Sequence, residues 1–253
     1  MRRGILRALV LAPLAFAALI GAQLLLLSRR RYLPADPGYR VDRLVRPAGG
    51  ERSEPALELV VLGDSTVAGV GAPSEAESLP VLVAQRVADA TGRGVHVVGH
   101  GVSGTRTASL VDLQLPLVTV APDVLLLVVG ANDATHATPP PAFRHATQRM
   151  LARATATGAP VVLGSTPRFI GTEFIPQPLR WMLDAYSELL RNEQRAAVAA
   201  APGTRLVDLA AVAPRFAGVP EATSSDGFHP SPIGYGFWAD ALASGVVAAL
   251  AAA

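Results

Sequence analysis

A 20-residue apolar stretch, 8–27, broken only by Gln23, is followed by five much shorter apolar runs at 57–63, 95–99, 124–130, 161–164 and 205–209. Short continuous apolar runs closed by turn residues read as strands buried on both faces, which is the signature of a parallel sheet. Between them lie segments of helical periodicity at 79–90, about 108–118, 142–156, 179–200 and 234–252. Strand and helix alternate throughout, so the pattern predicts an α/β fold: a three-layer α/β/α sandwich with a five-stranded parallel sheet, flavodoxin-like in type. No repeat of 20 to 50 residues is visible.

The long apolar stretch is of a different kind. As a helix, 20 residues span roughly 30 Å, the thickness of a bilayer core. Arg2, Arg3 and Arg7 precede it, Arg29, Arg30 and Arg31 follow it, and Tyr32 stands where an interfacial anchor would. A cleaved signal peptide has a shorter apolar region and a small-residue cleavage site without an arginine cluster, so a retained single-pass membrane anchor is the preferred reading and a secretion signal the alternative. Three arginines precede the span and six lie within about 20 residues after it, which by the positive-inside rule favours a cytoplasmic folded domain. Residues 34–55, rich in Pro, Gly and Arg, read as a linker. The expected organisation is therefore an anchor at 1–33, a linker at 34–55 and one folded domain at 56–253, and removal of 1–33 is expected to leave that domain intact.

Composition narrows the chemistry. The chain has no cysteine, which excludes disulfides, thiol catalysis and Cys-ligated metals. The basic balance is local: residues 1–55 hold 10 Arg against 4 acids, whereas residues 56–253 hold 12 Arg against 16 acids. A nucleic-acid binder concentrates its positive charge on the folded domain, so nucleic acid is not an expected partner. His96, His100, His136 and His145 form no spaced pair with an acid, so neither a metal nor another cofactor is expected.

In open α/β sheets, sites form where loops leave the carboxyl ends of strands. The first such loop reads Gly63-Asp64-Ser65-Thr66, the second Gly99-His100-Gly101-Val102-Ser103-Gly104-Thr105, and the third Gly130-Ala131-Asn132-Asp133. A fourth block, Ser225-Asp226-Gly227-Phe228-His229-Pro230, precedes the last helix. Its spacing lets Asp226 fold back onto Nδ1 of His229, which fixes the tautomer and leaves Nε2 to take a proton from a serine.

Each block is a common turn sequence by itself, but the four in this order resemble the SGNH, or GDSL-type, serine esterases and lipases over roughly residues 57–245. The resemblance implies a hydrolase that cleaves carboxylic esters through an acyl-enzyme on Ser65. It makes His229 and Asp226 the base and its orienter, and Ser65, Gly104 and Asn132 the oxyanion donors. Thr66 replaces the usual leucine, and His100 stands where asparagine is frequent. Gly101 is a rival to Gly104. Asp64 and Asp133 are expected to brace their turns. No G-x-S-x-G elbow is present, which sets the chain apart from the ordinary α/β-hydrolases.

For the acyl pocket the candidate is the loop 166–181, which carries Phe169, Ile170, Phe174, Ile175 and Trp181 in a chain with few aromatics. Arg168 or Arg180 would meet an anionic or sugar portion, and Pro139-Pro140-Pro141 would stiffen a second wall. The expected substrates are short to medium acyl esters, including acyl groups on lipids or glycans, handled by a monomeric catalytic domain. An acyltransferase shares the first half-reaction, and a non-catalytic binding module is the remaining alternative.

Overall fold

The computed structural model describes residues 2–50, 54–119, 121–169 and 174–252. Helix α1 (Arg2–Ser28) is followed by strand β1 (Val41–Val45), and β2 (Leu57–Gly63) leads into the single-turn helix α2 (Ser65–Ala68). Then come α3 (Leu79–Thr91), β3 (Val95–Gly101), α4 (Thr107–Leu113), β4 (Val124–Val128), α5 (Ala131–Thr135) and α6 (Pro140–Thr155). The chain continues through β5 (Val161–Gly164), α7 (Leu179–Ala199), β6 (Thr204–Val207), a 3₁₀ helix at Leu209–Phe216 and α8 (Pro232–Leu250).

The six strands are ordered β1-β3-β2-β4-β5-β6, with β1 antiparallel and the other five parallel. The five parallel strands are those the apolar runs predict, in flavodoxin-like order, so the chain reverses its direction of travel between β2 and β4. That topological switch point opens a crevice beyond the carboxyl ends of the strands.

Alternation along the strands feeds two cores. Leu57, Leu59 and Val61 face one side with Leu79, Val83, Trp238 and Leu242, while Val60 and Leu62 face the other with Leu110, Met150 and Leu151. Helix α8 is apolar enough to cross a membrane but is half buried against the sheet, as a core helix is. In α1, by contrast, the segment Leu11–Ser28 is almost wholly exposed.

The sixth strand is the departure from expectation. Residues 34–55 read as a linker, yet Val41–Val45 pairs along the outer edge of β3, Val41 opposite Gly99 and Val45 opposite Val95. His96 ties this edge together, with Nε2 2.8 Å from Asp42 and Nδ1 2.7 Å from Glu58. Only Val41 and Val45 of β1 are buried, so the strand lacks the continuous apolar run that marks the other five. Its gain is to cover an otherwise unpaired edge.

Candidate active site

Ser65 sits two residues beyond the end of β2, at the start of α2. Asp64 caps that helix, its Oδ1 accepting from Thr66 N at 3.0 Å and Thr66 Oγ1 at 2.8 Å. The cap fixes the turn so that the Ser65 hydroxyl faces the crevice. Thr66 therefore supplies two donors to Asp64 that the more usual leucine would reduce to one. Burial pushes the Asp64 carboxyl up, and these two hydrogen bonds oppose it.

Across the crevice, the turn before α8 presents His229, its Nε2 3.1 Å from Ser65 Oγ and its Nδ1 2.7 Å from Asp226 Oδ2. The other oxygen, Oδ1, accepts from the backbone N–H groups of Phe228 (2.9 Å) and His229 (3.0 Å) and from Ser224 Oγ (3.0 Å). Burial opposes charge on Asp226, but the hydrogen bonds from the His229 ring and from the His229 and Phe228 backbones prevail. They hold its carboxyl well below the usual range, so it stays an ionised acceptor at neutral pH.

The second and third blocks close the crevice. Asn132 Nδ2 donates to the Thr105 carbonyl at 3.1 Å and meets Asp64 Oδ2 at a weak 3.4 Å, leaving one N–H loosely held beside Ser65. Gly104 occupies the left-handed region at φ +81° in the loop that carries Thr105. Its rival Gly101 is required for packing instead. A Cβ there would lie 1.9 Å from Ala68 N, so only glycine lets β3 end against the Ser65 helix. Asp133 joins the two blocks, since Oδ2 accepts from Thr107 N and Oγ1, both at 2.8 Å.

Several positioning groups escaped sequence reasoning. Gln114, fully buried at the end of α4, accepts from Gly63 N at 3.0 Å and donates to Gly63 O at 2.9 Å and Thr105 Oγ1 at 3.1 Å. It thereby welds the strand end before Ser65 to the second block. A polar residue inside the apolar stripe Leu110-Val111-Leu115 was the available signal. Replacing Gln114 by Ala strands these partners in the core, and a loss of about 2–4 kcal/mol in stability is expected, measurable as a lower denaturation midpoint. Gln194 serves the third block similarly, accepting from Thr166 N at 2.8 Å and donating to Val129 O at 3.3 Å.

Beside Ser65 and His229 opens a narrow, mostly apolar cavity of about 70 Å³. Phe169, Leu209, Ala213, Phe216, Phe228 and Trp238 form its apolar wall. Of the pocket residues expected from the 166–181 loop, only Phe169 lines it. Phe174 and Ile175 are buried in a separate cluster with Phe143 and Leu190, and Trp181 is 69% exposed. The aromatic density of the loop goes into packing on α7 and the end of α1 instead. The wall comes largely from the 3₁₀ helix and α8, whose apolar residues read as ordinary core. Ile170 lies outside the described residues. Arg168 borders the cavity but is paired with Asp184 at 2.8 Å, and the three prolines open α6 away from the cavity.

Comparison with known proteins agrees with this geometry. The family model described as GDSL-like Lipase/Acylhydrolase matches residues 61–237. A GDSL-like esterase of Mycobacterium tuberculosis is 34% identical over 74% of this chain and 60% of its own length. An arylesterase of Vibrio mimicus is 33% identical over 44% of this chain and 55% of its own length. The chain thus matches little more than half the length of either curated relative. Among solved structures, the α/β hydrolase LAE5 from the metagenome of Lake Arreo superimposes with a TM-score of 0.61 at 19% identity, covering 78% of this chain and 98% of that one; the likeness is one of fold. With its four blocks gathered around one crevice, this chain belongs to the GDSL-like lipase/acylhydrolase family.

Proposed function

We propose that this protein hydrolyses carboxylic esters of short to medium acyl groups through an acyl-enzyme on Ser65. The observation that carries the reading is the continuous relay from Asp226 Oδ2 through His229 to Ser65 Oγ, with links of 2.7 and 3.1 Å. As Ser65 Oγ attacks the acyl carbonyl, His229 Nε2 takes its proton and Asp226 stabilises the imidazolium. Negative charge develops on the carbonyl oxygen. The N–H groups of Ser65 and Gly104 and the Asn132 amide receive it, with Asn132 turning its loosely held N–H from Asp64 to the oxyanion. His229 then protonates the leaving alcohol and activates the water that releases the acid. No metal or cofactor takes part in these steps.

Asn132→Ala is expected to lower kcat by about 10²–10³ without unfolding the protein, because one oxyanion donor is lost. Steady-state kinetics beside a melting curve checks it. The small cavity favours the short end of the acyl range. Each buried methylene gains about 0.8 kcal/mol only where it fits, so Phe216→Ala, which enlarges the wall, should shift preference towards longer chains. A p-nitrophenyl ester series from acetate to decanoate, run on the wild type and this variant, tests both the activity and the pocket; an unchanged profile would remove Phe216 from the acyl wall.

We read α1 as a retained membrane anchor. Its exposed apolar surface over Leu11–Ser28 supports this, as does the way its end docks on the catalytic domain: Gln23 Nε2 donates to Gln177 O at 2.6 Å, and Leu179 N donates to Gln23 Oε1 at 3.3 Å. A cleaved signal would carry these contacts away. Fractionation of cells expressing the full chain should place it with membranes, and a mature N-terminus near residue 28 would overturn the anchor.

A further inference from the structure

The chain between α1 and β1 packs against the second and fourth blocks and against the loop that follows the Ser65 helix. Leu33 N donates to Asp226 Oδ2 at 3.3 Å, and Ser103 Oγ donates to Ala35 O at 2.5 Å. The Tyr39 hydroxyl reaches the carbonyl oxygens of Gly69 (2.9 Å) and Ala72 (3.2 Å), just beyond the Ser65 helix. The Tyr32 ring meets Phe174 and Phe228 edge-on, with centroids 5.6 and 5.9 Å away, and Phe228 in turn meets the His229 ring edge-on at 5.1 Å. A free tether of Pro-rich composition would make none of these contacts.

We propose that residues 32–39 form a strap that positions the catalytic Asp226–His229 pair, a role that rests on the ester-hydrolase reading above. The Leu33 N–H binds the same carboxylate oxygen that holds His229 Nδ1, so it restricts rotation of that carboxylate. Tyr32 backs Phe228, whose ring edge packs on the imidazole. Neither Tyr32 nor Leu33 lines the acyl cavity. Leu33 acts directly on Asp226, and Tyr32 acts through Phe228, which both lines the cavity and packs on the His229 ring; the effect the two share falls on the proton-transfer geometry, and the strap makes the N-terminal segment part of the working enzyme.

The test uses the full chain in detergent, with p-nitrophenyl acetate as substrate and a fluorophosphonate label to count competent Ser65 sites. Tyr32→Ala and Leu33→Pro, the latter removing the N–H, are each expected to lower kcat per labelled site by about tenfold while KM stays within about twofold. Tyr32→Phe should restore most of kcat, because among the described residues the Tyr32 hydroxyl hydrogen-bonds only the Leu27 carbonyl, at 3.3 Å. If Leu33→Pro does not fold, the two Tyr32 variants decide. An unchanged kcat in Tyr32→Ala, or a change confined to KM, overturns the strap. A wild type that neither turns over the ester nor takes the label at Ser65 overturns the hydrolase reading itself, and the strap with it.

Discussion

Ser65→Ala and His229→Ala are each expected to lower kcat for ester hydrolysis by about 10⁴–10⁶, and the double variant is expected to be no worse than the poorer single one. The reason is that Oγ and Nε2, 3.1 Å apart, act as one device. Without the base the hydroxyl keeps its proton, and without the hydroxyl the base has nothing to activate. The activity left over comes from the oxyanion donors and from binding alone. Initial rates of the three variants, measured above the background of free ester hydrolysis, form the double-mutant cycle; a cycle in which the two losses multiply would show that the residues act independently. Both side chains are largely buried; Ser65→Ala should change thermal unfolding little, whereas His229→Ala takes the ring donor away from the buried Asp226 carboxylate and should lower the melting temperature as well.

Asp226→Asn comes second in size, with an expected loss of about 10³–10⁴ in kcat. The carboxylate accepts at both oxygens, from the His229 ring on one side and from two backbone N–H groups and Ser224 on the other. A carboxamide has an N–H in place of one acceptor. Either the turn or the ring then loses its partner, and a ring facing an N–H takes the tautomer that cannot accept the Ser65 proton. Because Asp226 is held ionised well below the usual carboxylate range, its own protonation should not limit kcat/KM in mild acid. A mild-acid loss of kcat/KM in the wild type that is absent from Asp226→Asn would contradict this assignment.

The parts legible in the sequence share one property. The four blocks combine residue types with restricted chemistry at short spacing, and the five parallel strands are continuous apolar runs; both signals are local. What stayed hidden is carried by long-range contacts or by backbone atoms. Strand β1 buries only Val41 and Val45 and owes its place to pairing with β3. The strap acts through Leu33 N and Ala35 O, groups that every non-proline residue and every residue respectively possess, so no pattern of side chains could announce them. The acyl cavity misled for the opposite reason. The aromatic residues of the 166–181 loop are conspicuous yet mostly pack on themselves and their neighbours, while Phe216 and Trp238 lie in segments whose periodicity marks them as core.

The separation of the two halves of the relay along the chain bears on when the enzyme becomes active as it is made. Ser65 precedes His229 by 164 residues, and Leu33 precedes Asp226 by 193. A ribosome delivers about 5–20 residues per second, so Ser65 is made roughly 8–30 seconds before His229. For that interval α1 and the first strands can already be engaged while the nucleophile has no partner. On the proposed mechanism an unfinished chain therefore carries an inert serine, and ester cleavage would begin only after the last segment has returned to meet the first.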